Sequence, residues 1–279
     1  MTKTAGLKLI IVWSIALAGA CGGSGGGNSS PTGPSTTTGS TGGPTGEPAG
    51  GSSTSGFPWN FNGSVWQASG TAAACPNPFV LSMPVDISKV TSVLYPGQTR
   101  GEYKPHGGFR FDGTGQTNDV AVRAPFSGMA FRGSRYFVQG TEIQYSIDVM
   151  HPCGMMFRFG HLRELTAKFQ ALADTLPAPN ELDSRTTNFA PGTMLTDGEL
   201  IATAVGVRTT ANVFVDWGVY DLRQRNASSA DPAWFAAHPG DVAPYAICWF
   251  DMLTPANTAI VRALPSSDGQ MGRTSDFCR

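Results

Sequence analysis

Four short stretches, "TEIQYSIDVM", "MMFRFGHL", "GELIATAVG" and "NVFVDWGVYDL", are rich in Val, Ile, Phe and Tyr, alternate in polarity, and are separated by Gly or Pro turns. A period of two with β-branched and aromatic residues predicts half-buried strands, so the chain is expected to be mainly β. Helices are few. In "RELTAKFQALADTL", Leu165, Phe169, Leu172 and Leu176 recur on one helical face. Asp231 before Pro232 and Thr254 before Pro255 each set a capping side chain ahead of a proline at the first helical position. No repeat of solenoid length is present.

This patterning begins near Phe57, and the roughly 220 residues from there to the end suffice for one hydrophobic core. Residues 57–279 are therefore expected to form a single domain. The segment 21–56 is different: "GGSGGGNSSPTGPSTTTGSTGGPTGEPAGGSSTSG" has almost no apolar side chain to bury and reads as a disordered tether spanning roughly 30 to 35 Å. Ahead of it, residues 1–20 carry Lys3 and Lys8 before an apolar run from Leu9 to Ala18, the layout of an export signal and too short for a comfortable membrane span. "AGA" before Cys21 fits ordinary cleavage and also resembles a lipobox, although Leu17 sits one position early. A tether makes sense when one end is anchored, so lipidation at Cys21 is expected, and with it a cell-envelope location in which a lipid is the only membrane contact. With 19 Lys+Arg against 20 Asp+Glu, no whole-molecule field draws the chain to nucleic acid.

Five cysteines become an even set once Cys21 is set aside. Cys75, Cys153, Cys248 and Cys278 are expected to form two disulfides in an oxidising compartment. Three connectivities are possible; Cys248 with Cys278 would close the C-terminal segment and leave Cys75 for Cys153. No two of them have the spacing of a zinc knuckle.

In order along the chain stand "HGGFRFDG", "VAVRAPFSGMAFRG", "HPCGMMFRFGHL", and "PGTMLTDGELIATAVG" leading to "VFVDWGVYDLR". This layout, over roughly residues 100–222, resembles the lysostaphin-type or LytM zinc endopeptidases, which cut the peptide cross-links of bacterial cell walls. The resemblance implies an antiparallel β-sheet core of the duplicated hybrid motif type with a few short helices, followed here by a C-terminal extension. It also implies a zinc ion with three protein ligands, whose bound water attacks an amide, assisted by two further His residues. Carried over, His106 matches the first ligand and His161 one assisting His. Arg110 stands where a ligand Asp would be, Phe214 where the other assisting His would be, and Asp216 where the last ligand His would be.

A carboxylate is a legitimate zinc ligand, but guanidinium has no lone pair and is always charged. Arg110 and Asp216 are therefore expected to form a salt bridge in place of the metal, with His106 beside it, and no cofactor is expected. The alternative is zinc held by His106, Asp112 and Asp216, with His161 as the catalytic assistant. His151 and His238 read as ordinary partly buried or surface histidines. The residues between His161 and Pro191 exceed the family's short connection and can cover the groove. The functional expectation is a non-catalytic LytM-like envelope lipoprotein binding peptidoglycan or a cell-wall hydrolase. Its rivals are an active metalloendopeptidase with a variant site, and a purely structural envelope lipoprotein.

Overall fold

In the computed structural model, residues 57–113 and 117–279 are described; the expected export signal, Cys21 and the expected tether lie outside them. The dominant element is a ten-stranded sheet. Its main strands are β1 (Ser92–Leu94), β2 (Gly107–Arg110), β3 (Gly128–Val138), β4 (Glu142–Met150), β5 (Met155–Leu165), β6 (Thr187–Leu195), β7 (Leu200–Val205) and β8 (Phe214–Asp221). The order across the sheet is β3-β4-β5-β8-β2-β1, all antiparallel, with β6 paired to β3 and β7 to β5. The short strand Asn180–Glu181 adds to the outer side of β3 in parallel. The mainly β expectation holds, and each of the four alternating stretches contributes a strand of this sheet.

Period-two alternation sorts the side chains onto two faces. On one face Phe109, Ile147, Phe157, Phe159, Val215 and Trp217 are fully buried. Trp217 stacks at 5.8 Å from Phe109 and meets Trp249, from the C-terminal segment, at 4.2 Å between ring centroids. That segment thus closes the core, and each large side chain so buried contributes about 1.5–3 kcal/mol. The opposite face carries Gly108, Asp148, Arg158, Gly160 and Asp216, which the ladders place beside one another: Arg158 lies opposite Asp148 on one side and Gly218 on the other, and Asp216 opposite Gly160 and Gly108.

The helices follow the capping signals. Pro232–Ala237 starts after Asp231, whose carboxylate accepts from the Ala233 amide at 2.8 Å; Pro255–Ala263 starts after Thr254, whose hydroxyl accepts from the Asn257 amide at 3.3 Å. The helix expected across "RELTAKFQALADTL" is shorter, Ala167–Ala173. Arg163 to Leu165 stay in β5, where Glu164 and Leu165 pair with Ala204 and Ala202 of β7. The ladder outcompetes the helical preference there, while Phe169, Leu172 and Leu176 still bury their common face. The disulfides are Cys75–Cys153 and Cys248–Cys278.

Candidate functional site

The site lies on the polar face where β2, β5 and β8 run side by side. His106 directly precedes β2. The Arg100 guanidinium ties down this approach by donating to the His106 carbonyl at 3.1 Å and to the Tyr95 carbonyl at 2.8 Å. Gly108 faces Asp216 across the ladder, and a Cβ there would fall inside contact distance of the Val215 carbonyl oxygen. Only glycine permits so close an approach. The result is a convergence on one atom: Oδ2 of Asp216 lies 3.0 Å from Nε2 of His106 and 3.3 Å from Nε2 of His161.

His161 reaches this position through an irregularity. The β4–β5 register breaks between Phe159 and Leu162, and His161 adopts the left-handed region at φ 59°. For a residue with a Cβ this conformation costs about 1–3 kcal/mol. A bulge of this kind re-aims a side chain, here towards Asp216, and the Gly206 amide secures it by donating to the His161 carbonyl at 2.9 Å. Gln144, fully buried, fixes the ring. Its Nε2 donates to the Gly206 carbonyl at 2.7 Å, so its Oε1 is the acceptor that meets His161 Nδ1 at 2.6 Å. Nδ1 therefore carries a proton, and Nε2 is the nitrogen presented to the carboxylate.

Burial alone would raise the Asp216 carboxyl; the His106 and His161 imidazoles outweigh it and hold the group well below the usual carboxylate range. Burial pushes His106 down, against the pull of Asp216. Both shifts have the same sign for stability. An unfolded carboxyl binds its proton near pH 3.9 and an unfolded imidazole near 6.5, each before its folded counterpart, so acidification favours the unfolded chain. Asp216→Asn should cost about 1–3 kcal/mol at pH 7, with the difference from wild type shrinking below about pH 4. Denaturant titrations between pH 7 and pH 2 read this out, and a difference that stays constant across that range contradicts it.

The expected Arg110–Asp216 salt bridge is not formed. Arg110 is paired with Phe214 in the ladder, while Asp216 is paired with Gly108; two residues of strand amount to about 6.6 Å. Nearer acceptors win: Arg110 Nε and Nη2 reach the Asp112 carboxylate at 2.7 and 3.0 Å, and Nη2 also reaches Asn212 Oδ1 at 2.7 Å. Asp112 is thereby withdrawn from the alternative ligand set as well, its own amide donating to Thr91 Oγ1 at 2.9 Å. Phe214 packs its ring against His161 at 4.2 Å and lies 5.7 Å from the Arg110 guanidinium carbon. His106 and His161 both lie beside Asp216.

The donor set is a poor match for zinc. Arg110 offers no lone pair and Asp112 is engaged by it, so neither adds a donor beside His106, His161 and Asp216. Among the described residues no group of three or more His, Cys, Asp or Glu is arranged to hold a metal ion. The remaining histidines are ordinary. His151 accepts from the Cys153 amide at 3.1 Å between Phe79 and Phe126, and His238 packs on Tyr103 and Trp234.

A pocket of about 350 Å³ opens beside the cluster, lined by Lys104, Tyr136, Arg158, His161, Leu182 and Ser184 among others. Burial raises the Tyr136 hydroxyl, which keeps it protonated. Gln144, Tyr136 and Arg158 carry no motif. One signal for Gln144 and Arg158 was available: Glu142, Gln144, Ser146 and Asp148 alternate along β4, a pattern that ordinarily marks a wet face, yet all four are buried. Their partners are Arg163, His161, Ser134, and Arg132 with Arg158. No family model, no curated protein and no solved structure matches this chain.

Proposed function

We propose that the chain is an exported, LytM-like domain that has given up zinc catalysis and uses its groove to bind peptidoglycan, or a wall hydrolase working on it. One observation carries the reading: at the position of a metal-ligand Asp stands Arg110, its guanidinium committed to Asp112 and Asn212, while the Asp216 carboxylate is engaged by two imidazoles. A site so arranged offers hydrogen-bonding groups and a pocket to a ligand. The resemblance of the ordered motifs supports the cell wall as the setting. Two disulfides fit an oxidising compartment. No helix among the described residues is long and apolar enough to cross a membrane, and attachment through a lipid on Cys21 is part of the proposal.

Sedimentation with purified peptidoglycan sacculi at pH 7 tests this. The protein is expected to pellet with the sacculi and to release no soluble fragments. Protein that stays in the supernatant contradicts wall binding, and release of peptide fragments contradicts the loss of catalysis.

A further inference from the structure

We infer that the pocket beside Asp216 takes a carboxylate, presented by the free end of a peptide, and that the terminal edge of Arg158 is its anchor. The inference rests on the binding role just proposed and names the chemical group recognised there. Arg158 is half used. Its Nε and Nη2 grip both oxygens of Asp148 at 2.6 and 2.7 Å, the side-on edge of a planar fork that has five N–H donors. Nη1 makes no hydrogen bond among the described residues, and the side chain lines the pocket. A guanidinium held rigidly on one edge presents the other at no further cost in order, and that edge matches a carboxylate in two-point geometry.

Asp148 is shared between Arg158 and Arg132, and Arg132 also pairs with Asp241, so the network beneath the pocket is matched in charge and what reaches the pocket is the free edge of Arg158. Lys104 adds an ammonium at the rim, where its partner Glu102, at 3.3 Å, is largely exposed; such a pair is weak and exchanges readily. Asp216 lines the same pocket, its Oδ2 held by His106 Nε2 at 3.0 Å and His161 Nε2 at 3.3 Å. Between Arg158 and His161 stands Gly160, which leaves the floor open.

Leu182 and Ser184, from the connection between β5 and β6, line the pocket together with His161, and the free end of a peptide carries the carboxylate that the Arg158 edge matches.

The test is an NMR titration of the protein with N-acetyl-Ala-Ala bearing a free carboxylate and with its C-terminal amide. The acid should bind ~10-fold or more tightly than the amide, as expected for a charge-assisted contact, with shifts centred on Arg158, His161 and Ser184. Lys104→Gln, at the rim, should weaken the acid ~3-fold, the scale of a partly exposed charge contact. Arg158→Lys should weaken it ~10-fold. Equal binding of acid and amide, binding of neither, or shifts remote from the pocket overturns the inference, as does a folded Lys104→Gln protein that binds the acid as wild type does. If acid and amide are not distinguished while the protein still pellets with sacculi, the carboxylate assignment fails and wall binding stands. If the acid binds but sacculi do not pellet the protein, the pocket stands and the wall does not.

Discussion

Asp148→Asn is expected to destabilise the domain by about 3–5 kcal/mol, the cost of breaking a buried ion pair from one side. The Asp148 side chain is 0% exposed, Arg132 10% and Arg158 22%. Burial alone would raise the Asp148 carboxyl, and the Arg158 and Arg132 guanidinium groups hold it below its ordinary value instead. Asparagine keeps the shape and removes the charge, so two arginines lose their common counter-ion at once. Arg132 retains Asp241; among the described residues Arg158 has no other acid partner and is the one stranded. Urea denaturation at pH 7 measures the effect. The exposed pair Arg208–Glu164, at 54% and 53% exposure, sets the comparison, since its removal should cost below about 1 kcal/mol. A similarly small loss for Asp148→Asn would mean that the buried network is not desolvated as described.

Loss of the disulfides is the second large effect. Cys75–Cys153 closes a separation of 78 residues and Cys248–Cys278 one of 30. In the chain-entropy account the two crosslinks are worth roughly 4.5 and roughly 3.6 kcal/mol through the unfolded state. Replacing each pair by serines should therefore destabilise the domain by several kcal/mol, Cys75/Cys153 more than Cys248/Cys278. The second bridge matters beyond entropy, because it tethers the segment that brings Trp249 onto Trp217. Denaturation of the two paired variants checks this, and a loss below about 1 kcal/mol for either contradicts it.

The strands and caps were legible because each depends on local pattern. β4, β7 and β8 announce themselves by alternation, and Asp231 and Thr254 by the proline that follows. Cysteine count implied two bridges without choosing their partners. Legibility failed where register decides. The resemblance implied that Arg110 and Asp216 stand at positions that share an ion, and so that their side chains meet. In the sheet Arg110 belongs to the Phe214 rung and Asp216 to the Gly108 rung, and acceptors from Asp112 and Asn212 are nearer. The polar row of β4 failed for a different reason. Alternation says that Gln144 and Asp148 share a face but not whether water covers it, and only the arginines and His161 on the neighbouring strand make their burial tolerable. The strained backbone at His161, which positions the imidazole, has no signature in a side chain that glycine would ordinarily replace.

His106 and His161 both approach Asp216 Oδ2, at 3.0 and 3.3 Å, and the proposed function takes this cluster to stand where a zinc centre would be. Elemental analysis of the purified protein, followed by calorimetric titration with zinc, tests it most directly. Far less than one zinc per chain is expected, and no saturable uptake that His106→Ala abolishes. One tightly held zinc per chain, lost in both His106→Ala and Asp216→Ala, would contradict it.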